Sequence, residues 1–330
     1  MKPTSIIFLL VSLVIILVGW LTCHNAEARA EEDGVQIFAS SIDGDKNSVV
    51  TFEFDPSEIY NKIELVVDEA DVYVYGGYSE PKMELINFNE GSYRMTTANR
   101  NITVDTTVNL MAIIRFWESG FTFRGLRDYV RRTDSDAAAA KRINLFLPSD
   151  GDINIININL DHGNVYFSNF DTSIDVNLEL GNGDAAFSSF KTSSALNANL
   201  TSGELYLNNA SIGIFEAVIE SGNITAENLA FDSINIVGSV GSAVNVSLML
   251  APDMKDFTMS LSARRGAITL YDKNVGTEYS SGTISDTHAM ITVASGDIII
   301  GRSNAAVKPP VNSGDNSGET SAADSETNNQ

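Results

Sequence analysis

The sequence predicts an all-β protein: a single-chain parallel β-helix or β-solenoid of roughly 20-residue rungs, with an N-terminal transmembrane helix. Three observations carry this. A block of alternating apolar residues recurs on anchors at Gly163, Gly183, Gly203 and Gly222, spaced by 20, 20 and 19 residues. Within each block the apolar residues alternate at period two, which buries one face of a strand. Ahead of the repeats, residues 5–22 form an uncharged apolar run of 18 residues, just long enough to span a hydrocarbon core.

From the N-terminus, residues 1–4 read as a cytoplasmic stub and residues 5–22 as the membrane anchor. Lys2 precedes the apolar run, and Glu27, Glu31, Glu32 and Asp33 follow it. This bias puts the N-terminus inside and the rest of the chain outside, as a single-pass protein of the cell membrane. The alternative is a signal peptide cleaved near Ala28 or Ala30, which would leave a secreted protein. The length of the run, and Trp20 placed as an interfacial anchor, favour retention. Residues 23–47 read as a juxtamembrane linker, and residues 48–301 as the solenoid. Cys23 is the only cysteine, so no internal disulfide staples the fold. Stacked apolar rungs must supply the stability. Residues 303–330 are rich in Ser, Asn, Asp, Glu and Gly, and read as a disordered acidic tail.

Each rung has the same internal logic. Seven, five and three residues before the anchor, and two, four and seven after it, every position is apolar in all four units. Two short strands therefore flank a corner. Glycine suits the corner because a positive φ or a close backbone approach is required there. The next residue is Asn164, Asp184, Glu204 or Asn223, which reads as a polar ladder along the corner rather than as an active site. The frame returns around Ala70, Gly266 and Gly296. It slips near Gly238 and Gly241, where Val244 and Val246 lie one residue out of place. A helical reading fails, because the period is two and Gly, Asn, Val and Ile are poor or middling helix formers.

Leu200-Thr-Ser-Gly-Glu-Leu-Tyr-Leu207, Ile219-Glu-Ser-Gly-Asn-Ile224 and Ile291-Thr-Val-Ala-Ser-Gly-Asp-Ile-Ile-Ile300 carry a family resemblance. The chain resembles the DUF4097-type, adhesin-like β-strand repeat proteins of bacteria, which are related to auto-transporter adhesin head domains. The resemblance implies a β-helix-like fold in the cell envelope. It implies no activity and no functional residues.

Residues 103–142 leave the frame. Arg115, Trp117, Phe121, Arg124, Arg127, Arg131 and Arg132 interleave cations with aromatics in this irregular insertion. Between residues 110 and 145, seven basic side chains face four acidic ones, a local balance of +3 in a chain of −22. One reading is an insertion that folds over an end or side of the solenoid, since open solenoid ends need covering. The other is a contact site for anionic headgroups, acidic envelope polymers or a partner protein.

The function classes excluded are informative. A net charge of −22 opposes nucleic-acid binding, which needs clustered Lys and Arg. His24, His162 and His288 stand in unrelated contexts, so no metal centre and no cofactor is expected. A carbohydrate-active β-helix enzyme would have to recruit residues such as Asp184, Glu204, Arg264, Arg265 and Asp272. Tight 20-residue rungs leave little chain for a cleft. The expected function is a non-catalytic, membrane-anchored structural or adhesin-like binding protein of the cell envelope. The alternative is an envelope sensor or regulatory partner of other membrane proteins.

Overall fold

The computed structural model describes residues 49–54, 58–88, 92–106, 140–149, 151–252, 254, 257–281 and 285–303. Every regular element in them is a strand. No helix among the described residues is long and apolar enough to cross a membrane, and the expected anchor at residues 5–22 lies outside them.

The strands in chain order are β1 (Val49–Glu53), β2 (Lys62–Glu69), β3 (Asp71–Tyr75), β4 (Lys82–Ile86), β5 (Arg94–Ala98), β6 (Asn101–Asp105) and β7 (Arg142–Phe146). Then come β8 (Ile155–His162), β9 (Val165–Thr172), β10 (Asp175–Asn182) and β11 (Ala185–Gly238), an extended run that carries the chain through several corners. The series ends with β12 (Val244–Leu250), β13 (Thr258–Ala263), β14 (Ile268–Leu270), β15 (Lys273–Gly276), β16 (Glu278–Ser280), β17 (His288–Val293) and β18 (Ile298–Arg302).

The repeat frame is the pairing register. Val176 lies against Ile156 on one side and Leu196 on the other, 20 residues away in each direction, and all three strands run parallel. Past the corner, Phe187 pairs with Phe167 and Phe190 with Phe170. Strands before the corner form one face and strands after it the other. Their inward side chains meet in a single core. The six apolar positions read from the sequence are at most 4% exposed in all four units. Phe167 stacks on Phe187 at 4.8 Å, and Phe170 on Phe190 at 5.3 Å. The core thus repeats its contacts rung by rung.

Both reasons for glycine hold at the corner. Gly163, Gly183, Gly203 and Gly222 have φ between 132° and 146°. A Cβ on Gly183 would overlap the carbonyl oxygen of Gly163, and one on Gly203 would overlap that of Gly183. A second corner, which no glycine marks in the four units, lies six residues on. Asn169, Ser189, Asn209 and Asn228 all take left-handed φ of 51–56° there. Asn and Ser tolerate that region better than most side chains. The slip near Gly241 is larger than the apparent one residue. Val244, not Gly241, lies against Gly222, so residues 239–243 are a loop inserted before the corner.

Spatial order departs from chain order at both ends. The rung β2–β3 lies between β6–β7 and β8–β9. At the other end, β17–β18 lies between the rung of β11 and β12 and the rung β13–β14. The first and last rungs of the chain are therefore paired on both edges. Antiparallel strands close the two ends: β4 and β5, with β1 on β4, at one end, and β15 and β16 at the other. Reversal of strand direction there interrupts the parallel stack and blunts the edges.

Candidate functional site

Outward positions on the face after the corner are read three and five residues past each anchor. Near the β1 end these positions are aromatic. Tyr73 and Tyr166 sit opposite one another on β3 and β9, with rings stacked at 4.6 Å. Tyr75 lies beside Phe146 of β7, stacked at 5.2 Å, and Tyr78 meets Phe146 edge-on at 4.9 Å. Tyr73 and Tyr75 are themselves 6.2 Å apart with nearly parallel rings. Tyr78 remains 44% exposed, so the group is open to solvent. Five aromatic rings thus meet on the outside of the solenoid, where no core requires them. Offset and edge-on pairs of this kind stabilise one another by about 1 kcal/mol beyond their buried area.

Cations border the aromatics. The Arg142 guanidinium lies 4.6 Å from the Tyr73 ring centre, and Lys82 Nζ lies 4.8 Å from that of Phe146. Lys82 donates to Glu84 Oε1 at 2.8 Å, and Asn144 Nδ2 donates to Glu84 Oε2 at 3.1 Å. These bonds hold the Glu84 carboxyl below the usual carboxylate range, the Lys82 bond being the larger cause, with burial opposing. Burial pushes the phenols of Tyr75 and Tyr166 up. Arg142 opposes the shift at Tyr75, while Tyr73, Asp71 and Asp184 add to it at Tyr166.

A polar ladder runs beside this patch, one residue past each corner. The Asn164 N–H donates to Asp71 Oδ1 at 3.0 Å, the Asp184 N–H to Asn164 Oδ1 at 2.9 Å, and the Glu204 N–H to Asp184 Oδ1 at 2.9 Å. Asn223 Nδ2 donates to Glu204 Oε1, and Asn245 Nδ2 to Asn223 Oδ1. The Asp297 N–H then donates to Asn245 Oδ1, and the Ala267 N–H to Asp297 Oδ1. Five of these bonds satisfy corner backbone N–H groups that the strand ladder leaves open, the same need that Asx turns meet, and the other two join side chain to side chain. On the opposite face, Asn197 donates to Asn177 and Asn177 to Asn157 in a second ladder.

The residues that an enzyme would need are scattered. Asp184 and Glu204 belong to the ladder, whereas Arg264 and Arg265 precede the corner of the β13–β14 rung. Five rung steps separate them from Asp184, roughly 24 Å at ordinary strand spacing. Asp272 lies at the second corner of that same distant rung, with φ of 66°. His288 Nε2 is 2.9 Å from Ser233 Oγ, and His162 lies on β8 opposite Asn182 of β10. Among the described residues, no group of three or more His, Cys, Asp or Glu side chains could hold a metal ion.

Arg115, Trp117, Phe121, Arg124, Arg127, Arg131 and Arg132 lie outside the described residues. The described chain on either side is strand, since β6 reaches Asp105 and β7 begins at Arg142. The aromatic patch was missed in the sequence. Tyr73, Tyr75 and Tyr166 were visible as outward positions of the repeat frame. Phe146 was not, because its rung has no glycine anchor and its place against β3 is a matter of spatial order.

The family model Toastrack DUF4097 matches residues 60–330. No curated protein matches the chain in sequence. Three crystal structures are similar. A candidate cell adhesion protein from Clostridium sporogenes is 12% identical, with 78% of this chain and 99% of that one covered and a TM-score of 0.30. A candidate adhesin from Bacteroides fragilis is 11% identical over 77% of this chain and 97% of that one, with a TM-score of 0.34. A candidate adhesin from Parabacteroides merdae is 12% identical over 78% and 97%, with a TM-score of 0.33.

Proposed function

We propose that this chain, which belongs to the Toastrack DUF4097 family, is a non-catalytic, adhesin-like contact protein of the cell envelope. Residues 5–22 hold it to the membrane and the solenoid stands outside. The observation that supports this reading is the outward cluster of Tyr73, Tyr75, Tyr78, Phe146 and Tyr166, bordered by Lys82 and Arg142. Large aromatics with a polar tip, held rigid on a sheet, make contact at low entropic cost, and they are enriched where proteins meet partners. The polar residues support binding rather than catalysis. Those of the corner are engaged in holding N–H groups along the rod, and the remaining acids and bases are spread over distant rungs.

The test uses the full chain in lipid nanodiscs, immobilised on a surface and challenged with isolated envelope fragments. The wild type retains them, and a Tyr73→Ser/Tyr75→Ser/Phe146→Ser variant with unchanged melting does not. Equal retention by that variant overturns the reading. Topology is tested separately by protease treatment of intact cells: digestion of the solenoid places it outside, and protection overturns that placement.

A further inference from the structure

The outward row three residues past the corner has a gap one ring wide. In spatial order it reads Tyr73, Tyr166, Ala186, Tyr206. Tyr73 and Tyr166 stack on adjacent rungs at 4.6 Å. The far face of the Tyr166 ring looks along the row toward Ala186, whose methyl group fills little of the space. Tyr206 follows one rung later. It is 40% exposed and makes no ring contact among the described residues. Two rung steps put Tyr166 and Tyr206 roughly 10 Å apart. A ring placed midway would stand about 5 Å from each, close to the 4.6 and 5.2 Å at which this surface already stacks its own rings.

The borders of the gap are polar on both sides. One border is Asn164, Asp184 and Glu204 of the corner ladder, and the other is Ser168, Ser188 and Asn208, five residues past the corner. Asp184 spends Oδ1 on the Glu204 N–H, and Oδ2 takes part in no hydrogen bond among the described residues. Within residues 163–212 the only Lys or Arg is Lys191, which is paired with Asp171. A side chain such as Trp or Tyr would fill the space but leave these borders unanswered. A sugar ring presents apolar C–H faces to the two tyrosines and carries hydroxyls around its equator. The negative border adds a preference for a positive substituent and repels an anionic sugar.

We propose that the gap between Tyr166 and Tyr206, floored by Ala186, is a binding subsite for one pyranose ring of an amine-bearing glycan, with the ammonium group directed to Asp184. This rests on the reading of the outward aromatic face as the contact surface and names its ligand class. Stacking on two rings supplies most of the affinity. The exposed charge contact adds a smaller share and tunes specificity.

The experiment is calorimetric titration of the full chain in detergent micelles, at pH 6 and 0.15 M salt. The probes are a glucosamine hexamer, an N-acetylglucosamine hexamer and a galacturonic acid hexamer. The glucosamine hexamer is expected to bind tightest and the galacturonic acid hexamer not measurably. Ala186→Phe plugs the gap from an outward position and should weaken glucosamine-hexamer binding at least tenfold. Tyr206→Ala tests the same contact without adding bulk and should cost about tenfold. Asp184→Asn keeps the Oδ1 acceptor and should cost about threefold for the amine probe alone. Binding by Ala186→Phe and Tyr206→Ala equal to wild type overturns the proposal, as does galacturonic acid binding as tight as that of glucosamine. If the hexamers fail while the Tyr73/Tyr75/Phe146-dependent retention of envelope fragments persists, the subsite is wrong and the contact face stands. If both fail, the contact reading falls with it.

Discussion

The middle of the solenoid and its two ends obey different rules. From β8 to the part of β11 near Phe231, each unit pairs with the unit about 20 residues further on. Chain order and spatial order coincide there, and glycines stack on glycines. At the ends the same apolar frame is used out of order. The β2–β3 rung and the β17–β18 rung are each slotted between two others, with antiparallel strands beyond. A simple solenoid frays from its last rung, because that rung pairs on one edge only. Here neither the first nor the last rung of the chain has a free edge. The outward aromatic cluster also belongs to an out-of-order end: Tyr75 meets Phe146 because β7 lies against β3, though 71 positions separate the two residues.

The largest test of this contrast is truncation. Ending the chain at Thr287 removes β17–β18 from inside the stack, not from its tip. Cooperative unfolding at the C-terminal end should be lost, an effect of order 5 kcal/mol or more, read by urea titration and hydrogen exchange. Deleting β1, an outermost strand at the other end, should cost only about 2 kcal/mol. Equal effects from the two deletions would show that slotting confers nothing.

Corner glycines come next. Gly203→Ala should cost about 4 kcal/mol or more, because the new Cβ meets the Gly183 carbonyl at a φ of 146°. Gly241→Ala, in the inserted loop, has φ of 124° but nothing within 4 Å. Only backbone strain of about 1–2 kcal/mol applies there. Thermal melts of the two variants compare a stacked corner with an unstacked one.

Core aromatics should show the same gradient at smaller scale. Phe187→Ala removes a ring stacked on Phe167 and packed edge-on to Phe190, and should cost about 4 kcal/mol. Phe52→Ala, in outermost β1 and 7% exposed, should cost about half of that. Denaturant midpoints at constant slope decide between them.

The smallest effect is electrostatic. Glu84 has its folded pKa lowered by Lys82 and Asn144. Its contribution is therefore present above the unfolded value of about 4.3 and is lost as pH falls through the lowered folded value. Solvent screening of the exposed pair keeps this contribution small. Glu84→Gln should reduce stability slightly at pH 7 and flatten the pH dependence below the unfolded value of about 4.3. An unchanged slope would remove Glu84 from the account.

Much of the architecture was legible because the repeat is written in one-dimensional terms. Ile156, Val176, Leu196 and Phe215 share a position, and that position is a column of the core. The polar column Asn164, Asp184, Glu204 and Asn223 was equally plain, since each residue follows a corner. The second corner at Asn169, Ser189, Asn209 and Asn228 was also present in the sequence. It is faint there because Asn and Ser signal left-handed backbone less strongly than glycine does. The slip at Gly241 looks smaller in the sequence than it is, because a loop glycine resembles a corner glycine.

By itself the sequence determined which side chains face inward, where the corners fall, and that rungs pair in parallel at a 20-residue offset. These follow from alternation, glycine and period, and any neighbour bearing the same frame satisfies them. That is also why the sequence could not decide which rung neighbours which. Every rung offers the same apolar columns, so the pairing frame of β8 accepts β2 as readily as a unit nearer in the chain. The tertiary structure settled that choice through the connections and the antiparallel closing strands. In doing so it created the surface that no single rung contains: Phe146 against Tyr75, and Tyr73 on Tyr166.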